Sequence, residues 1–331
     1  MFSLLLSITA LGLVSSAHAA VIPRQSGALP SYVLQHAPMS YLYSGEDYWP
    51  SDVATHLQHV IPENGTKKVA NSVDFNTIGA LGSGIYLTSK DDPYDDPSWL
   101  FGNGSPDSSG FTTAPATIVA VAKPGGIVDA FYFYFYSFDY ATVSSCLLSQ
   151  CCIALTSDRL AQFLDMEFGD HVGDWEHSMI RFVNGVPQYL YLSAHSGGAA
   201  YTFNAVPSLN GRPYTYIGYG THANYASPGT HEHDFPGLDD YCDGGHLWDV
   251  TRNFRGYWFD PASQKFSVAS GANIGGQVEG GEGIGWLQFP GRWGDQEYAL
   301  FHDGQYCVGI PDVATECKLV DGPTGNITVL P

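Results

Sequence analysis

Between Ile127 and Asp139 the chain reads IVDAFYFYFYSFD. Side chains alternate across a strand with a period of two, so Phe131, Phe133 and Phe135 share one face and Tyr132, Tyr134 and Tyr136 the other. Both faces are bulky and apolar, so such a strand needs a covering layer on each side. Around it lie further β-type stretches: TIVAVA at 117–122, a hairpin pattern over 176–195 turning at Asn184-Gly185, YTYIGYG at 214–220, FRGYWFDP at 254–261 and GIGWLQFP at 283–290. With 38 glycines and 20 prolines to separate short strands, the fold class read from the sequence is all-β or β-rich: an antiparallel β-sandwich with long loops and a few short helices. Two helices are expected, one capped by Ser51 and one over SDRLAQFLDMEF (157–168), where Leu160, Phe163 and Leu164 form an apolar face.

Charge restricts function before any motif does. Only 14% of residues are charged, and the formal net charge is -20. A chain this acidic repels phosphate backbones, which argues against nucleic acid as a partner. Residues 1–19 read as a signal peptide: FSLLLSITALGLV is an apolar core, followed by a small-x-small site at Ala17-His18-Ala19. Residues 20–30 then form a pro-segment or linker, and 31–331 a single β-rich domain. No later apolar run approaches membrane-spanning length, so no transmembrane segment is expected. Secretion fits three glycosylation sequons, at Asn64, Asn103 and Asn326. It also fits six cysteines read as structural disulfides. Cys307 and Cys317 are close enough to close a small loop, Cys146, Cys151 and Cys152 cluster, and Cys242 needs a distant partner.

The densest polar stretch is GDHVGDWEH, 169–177. If a strand runs through Trp175 to Arg181, Asp174 and Glu176 point to one side and His177 to the other. Two carboxylates on one face repel unless a cation, a proton or a base lies between them. A hard divalent ion suits such oxygens, with Ca²⁺ or Mg²⁺ preferred and Zn²⁺ less favoured. A polar loop with solvated acids is the competing reading. His195 in SAHSGG, and His222 and Asn224 in YGTHANY, together with Trp175, are candidates for a ligand rim around the ion. His231, His233 and Asp234 form a weaker His-x-His zinc candidate inside a loop-like stretch. No nucleophile elbow, zinc-protease helix, phosphate loop or dinucleotide fingerprint is present.

GDHVGDWEH, SAHSGG (193–198), YGTHANY (219–225), LWDVTRNFRGYW (247–258) and GRWGD (291–295), in this order, resemble the vacuolar protein sorting-associated protein 62 family. That resemblance covers roughly 131–295 and implies a link to vacuolar protein delivery. A more distant similarity joins His171-x-x-Asp174-Trp175-Glu176 to the necrosis- and ethylene-inducing-like cytolysins, secreted β-sandwich proteins that bind sphingolipid headgroups through a divalent cation. It implies a metal site of Asp139, His171, Asp174 and Glu176, with Asp139 supplied by the end of the aromatic strand. This chain departs from the cytolysin heptapeptide, which has two histidines flanking an arginine, so a shared ion site is implied more than a shared toxicity.

The function expected from these readings is a secreted or vacuolar-lumen glycoprotein whose cation site binds a polar lipid headgroup, a glycan or a protein partner. The alternative is a metal-dependent hydrolase with His171 or Glu176 as general base. A third reading leaves the acids to stabilise loops.

Overall fold

In the computed structural model, residues 27–141, 167–232, 239–270, 284–310 and 314–325 are described. The aromatic strand Ile127–Asp139 occupies the centre of a seven-stranded sheet. Across the sheet the strands run Lys265–Val268, Phe254–Asp260, Ala116–Lys123, Ile127–Asp139, His171–Val183, Val186–Ala194 and Gly197–Thr202. Neighbours are antiparallel except Phe254–Asp260 against Ala116–Lys123. The Asn184-Gly185 hairpin forms as expected, with φ of 51° and 80°, the left-handed pair that a two-residue type I′ turn demands.

Both faces of the aromatic strand are covered. Tyr132, Tyr134 and Tyr136 pack with Leu42, Ile217 and Trp248 of a second, five-stranded sheet built on Met39–Leu42, Arg212–Ile217 and His246–Trp248. Phe131, Phe133 and Phe135 pack on the other side against Val53, Leu57, Trp286 and Trp293. The sandwich therefore carries a third layer, made of the helix Val53–His59, a three-stranded sheet around Val60–Asn64 and the segment through Trp293. Burying each of these rings contributes about 2–3 kcal/mol. Phenols on the tyrosine face need acceptors: Tyr132 donates to the Val33 carbonyl at 2.6 Å and Tyr134 to Ser178 Oγ at 3.0 Å.

Two local readings change. The first helix is capped by Asp52, whose carboxylate accepts the Ala54 N–H at 2.9 Å; Ser51 instead accepts the Ser137 N–H at 3.0 Å and so ties the loop to the aromatic strand. GIGWLQFP forms a 3-10 turn over Gly285–Gln288 and not a strand, because Trp286, Leu287 and Phe289 all turn into the phenylalanine-side core. The helix expected over 157–168 falls almost wholly outside the described residues, as do the signal peptide, Cys146, Cys151, Cys152, His233, Asp234 and Asn326. Cys307 and Cys317 are disulfide-bonded, whereas the Cys242 thiol is free and buried, donating to the Ser227 carbonyl. Asn64 and Asn103 are both exposed. Among the described residues no helix is long and apolar enough to cross a membrane.

His56 locks the third layer to the sheet. Its Nε2 lies 3.1 Å from the Trp293 carbonyl, which can only accept, so the proton sits there and Nδ1 faces Ser137 Oγ at 3.3 Å. Burial pushes its pKa down to about 3. The unfolded chain binds a proton near pH 6.5 that the folded chain refuses, so this contribution is complete above about pH 6.5 and is lost as pH falls towards 3. His56→Gln should lower the melting temperature at neutral pH yet flatten the fall of stability between about pH 6.5 and 4 by up to ~1.4 kcal/mol per pH unit. Denaturant titrations across that range check it; an unchanged slope would contradict the assignment.

Candidate functional site

The aromatic strand and its neighbour His171–Val183 stay in antiparallel register over their whole length, so that Tyr134 faces Glu176, Tyr136 faces Asp174 and Asp139 faces His171. Where this pair ends, a cavity of roughly 530 Å³ opens. Its walls include Asp139, His171, Asp174, Glu176, His195, Asp240 and Arg292. Five carboxylates line it in all, counting Asp139, Asp174, Glu176, Asp239 and Asp240.

Strict alternation would put His171 and Asp174, three residues apart, on opposite faces. Gly173 between them has φ of 72°, a conformation that breaks the alternation and that L-residues with side chains rarely adopt. The result is one cluster: Asp139, His171 and Asp174 each offer a ligand atom, and these atoms lie within 4.8 Å of one another. The donor set fits a metal ion. His171 Nδ1 is 2.8 Å from the Gly173 carbonyl and must donate to it, which leaves the Nε2 lone pair facing the cluster, 3.8 Å from Asp139. Burial keeps that ring neutral by lowering its pKa, against the pull of Asp174. Burial, then repulsion from Asp174, pushes the Asp139 carboxyl well above the usual range. Unscreened acids of this kind are stabilised by a bound proton or a bound cation.

Glu176 shares the face of Asp174 but is held by other donors. One oxygen accepts the His195 N–H at 3.1 Å and the other the Ser193 hydroxyl. Burial, then Asp174, raises its pKa well above the usual value. Behind Asp174 lies His222, fully buried, stacked 3.5 Å from Tyr136 and at φ of 56°. Its Nε2 meets the Tyr48 carbonyl at 3.0 Å and must donate, while Nδ1 meets Asp174 at 3.0 Å. The imidazole thus holds the Asp174 carboxylate in place from behind. Asn224 is also buried, its amide donating to the His222 carbonyl. Neither residue is on the cavity wall, so the expected rim reduces to His195 and the edge of Trp175. Most of Trp175 points the other way, against Phe135 and Trp293. His177 packs against Phe131 and Phe133, away from the cluster as expected.

Sequence reasoning missed Asp240. It is buried, lies 2.6 Å from His195 Nε2, and also accepts from Thr221 at 2.7 Å and from the Tyr225 hydroxyl. Burial alone would raise its pKa, yet the hydrogen bonds from His195, Tyr225 and Thr221 outweigh it and hold the carboxyl low. This clamp fixes His195, which sits at φ of 53° in the turn after Ala194. The signal was absent because 45 residues separate the partners. Asp170 was also placed in the polar stretch without a role; it is buried and accepts the Ala141 N–H at 2.9 Å, tying together the two strand ends. His231 stacks on Tyr225 at 3.8 Å and donates to the Ser227 carbonyl; its expected partners His233 and Asp234 lie outside the described residues.

Gly173 tolerates no side chain. A Cβ there would lie 2.4 Å from the Trp293 carbonyl oxygen, in addition to the strain of positive φ. Gly173→Ala should destabilise the fold by about 2–4 kcal/mol and disperse the cluster. Denaturant melts check it, and a loss under ~0.5 kcal/mol would show that the kink is dispensable.

The family model of vacuolar protein sorting-associated protein 62 matches residues 159–302. The putative vacuolar protein sorting-associated protein TDA6 of Saccharomyces cerevisiae is 34% identical over an alignment of 348 positions, spanning 91% of this chain and 67% of that protein. Vacuolar protein sorting-associated protein 62 of the same yeast is 33% identical over 341 positions, spanning 92% of this chain and 66% of that protein. The chain thus spans about two thirds of the length of both relatives. Among solved structures, non-toxic HaNLP3 protein overlaps 81% of this chain and 91% of its own at 13% identity, with a TM-score of 0.31, a likeness too low to carry an argument. On the extent and identity of the match to the yeast proteins, the chain belongs to the vacuolar protein sorting-associated protein 62 family.

Proposed function

We propose that this protein is a vacuolar-sorting-related factor of the secretory or vacuolar lumen that holds a divalent cation in its acidic cavity and presents it to a polar ligand: a lipid headgroup, a glycan or a partner protein. The observation that carries the reading is the convergence of Asp139, His171 and Asp174 to within 4.8 Å on a cavity wall. These three would hold the ion, with Glu176 as an outer carboxylate and His222 setting Asp174 from behind. Ca²⁺ or Mg²⁺ is favoured by the carboxylates, ahead of Zn²⁺. A bound ion of this kind supplies a fixed positive charge with coordination positions left for ligand oxygens.

Geometry supports binding over turnover. The free lone pair of His171 is on Nε2, which in this reading is committed to the ion, and both Glu176 oxygens already accept hydrogen bonds, so neither is well placed as a general base.

Calorimetric titration of chelator-stripped protein with CaCl₂, MgCl₂ and ZnCl₂ tests the site. One ion per chain should bind, and Asp139→Asn or Asp174→Asn should weaken it by about tenfold or more, ~1.4 kcal/mol. Because burial raises the Asp139 and Glu176 carboxyls, protons compete with the ion, so affinity should fall as pH drops from 7 towards 5. No binding in the parent, or equal binding in both variants, refutes the proposal. Lumenal passage is tested separately. Protein made in a eukaryotic secretory host should gain mobility on endoglycosidase treatment, with the shift reduced in Asn64→Gln and Asn103→Gln; an unshifted band would count against glycosylation.

A further inference from the structure

The His302 N–H donates to the Ala299 carbonyl at 2.8 Å, closing a turn whose two central residues are Leu300 and Phe301. Such positions ordinarily carry Gly, Pro, Asn, Asp or Ser. Here Phe301 is 92% exposed and Leu300 69%, the most open large apolar side chains among the described residues. Tyr94, 50% exposed, belongs to the same surface. Its ring lies so close to Gly304 that a Cβ there would have no room, and the Asp92 carboxylate two residues before it is 3.0 Å from His302 Nε2. The turn is held from behind. Gln305 donates to the Tyr298 and Leu319 carbonyls at 2.9 and 2.8 Å and accepts the Leu319 N–H at 2.9 Å. The His302 ring packs on Tyr298 with centroids 4.3 Å apart. Three apolar side chains are thus presented on a backbone that is already fixed, so covering them costs little further ordering of the chain.

Apolar side chains exposed singly are ordinary on a protein surface. Adjacent ones at the tip of a braced turn, beside a third on a loop tied to it, are the pattern of an interaction site. The surrounding charge selects the occupant. Asp91, Asp95 and Asp96 flank Tyr94 in the chain, Glu297 and Asp303 flank the turn, and all five are exposed. Neither 91–111 nor 293–317 contains a lysine or an arginine. Anionic lipid is repelled by such a rim. A second copy of the chain is repelled as well, because a twofold contact would set the same acids against themselves. A protein surface whose apolar pocket is edged by Lys and Arg is attracted. We infer that Tyr94, Leu300 and Phe301 form a docking surface for a basic partner protein, with Leu300 and Phe301 as the anchors that enter its pocket and the five acids as the rim. None of the three apolar residues lines the acidic cavity, so this surface is distinct from the cation site and does not depend on it.

The experiment uses the full chain carrying the photo-crosslinker p-benzoylphenylalanine in place of exposed Ala299, with the same crosslinker in place of exposed Tyr189 as the control. Each is irradiated in an extract of the cells that make the protein, and a species joined at 299 and not at 189 is identified, purified and titrated against the uncrosslinked chain. The purified partner should bind the parent, and Leu300→Ser or Phe301→Ser should weaken it by about tenfold or more with the melting temperature within error. Asp95→Asn with Glu297→Gln should weaken it by a smaller factor, and so should raising salt from about 50 to about 500 mM. The crosslinked segment of the partner should be apolar with Lys or Arg beside it. Four results overturn the proposal: no adduct specific to position 299; a purified protein that binds Phe301→Ser as well as the parent; binding indifferent to salt and to the acid variants; or a surface occupied by something else. That last result is read directly. Pelleting of the parent with phosphatidylcholine vesicles that is lost in Phe301→Ser identifies a bilayer, and a dimer in sedimentation that is lost in Phe301→Ser identifies a second copy.

Discussion

Asp139 and His171 come from distant parts of the chain and meet because two long strands hold their antiparallel register from Ile127–Val183 to Asp139–His171. That register depends on the aromatic strand having two different buried faces. A slip by one residue would exchange phenols for phenyl rings across the whole length, moving hydroxyls into the phenylalanine side and breaking bonds such as Tyr132 to Val33. The core therefore does more than stabilise. It indexes one strand against the other, and the last rungs of that ladder carry the acids.

At the end of the ladder, regularity gives way. Gly173 departs from extended geometry, and His195 and His222 both lie at positive φ, where non-glycine residues are uncommon. Backbone strain of this sort persists only where surrounding contacts over-determine it. Here the contacts are identifiable: Trp293 packed against Gly173, Asp240 gripping His195, and Tyr48 with Asp174 gripping His222. The acids are consequently pre-positioned, at the cost of mutual repulsion in a poorly solvated place. A cation would relieve that repulsion.

Much of this was legible from local pattern. The alternating rings of 131–136 announced a doubly covered strand, Asn184-Gly185 announced its hairpin, and the parity of Asp174, Glu176 and His177 assigned their faces correctly. What could not be read locally was what depends on distant partners. Asp240 looked like one acid among several in a loop-like stretch until the fold set it against His195. His222 and Asn224 looked like rim residues because their motif is polar, yet both are buried, His222 stacked on Tyr136 and Asn224 bonded to the His222 carbonyl. Ser51 and Asp52 were both plausible caps, and the choice was made by a tertiary bond from Ser51 to the aromatic strand. The third layer over the phenylalanine face was also hidden, since Trp286, Phe289 and Trp293 sit in a stretch whose alternation resembles a strand.

The central claim is geometric, and anomalous diffraction from crystals grown with Mn²⁺ as a stand-in for the native ion tests it most directly. The account predicts one strong peak bonded by the side chains of Asp139, His171 and Asp174, with further coordination positions open to the cavity. A well-ordered cavity with no peak there, or an ion bound by other residues while these carboxylates turn away from one another, would contradict it.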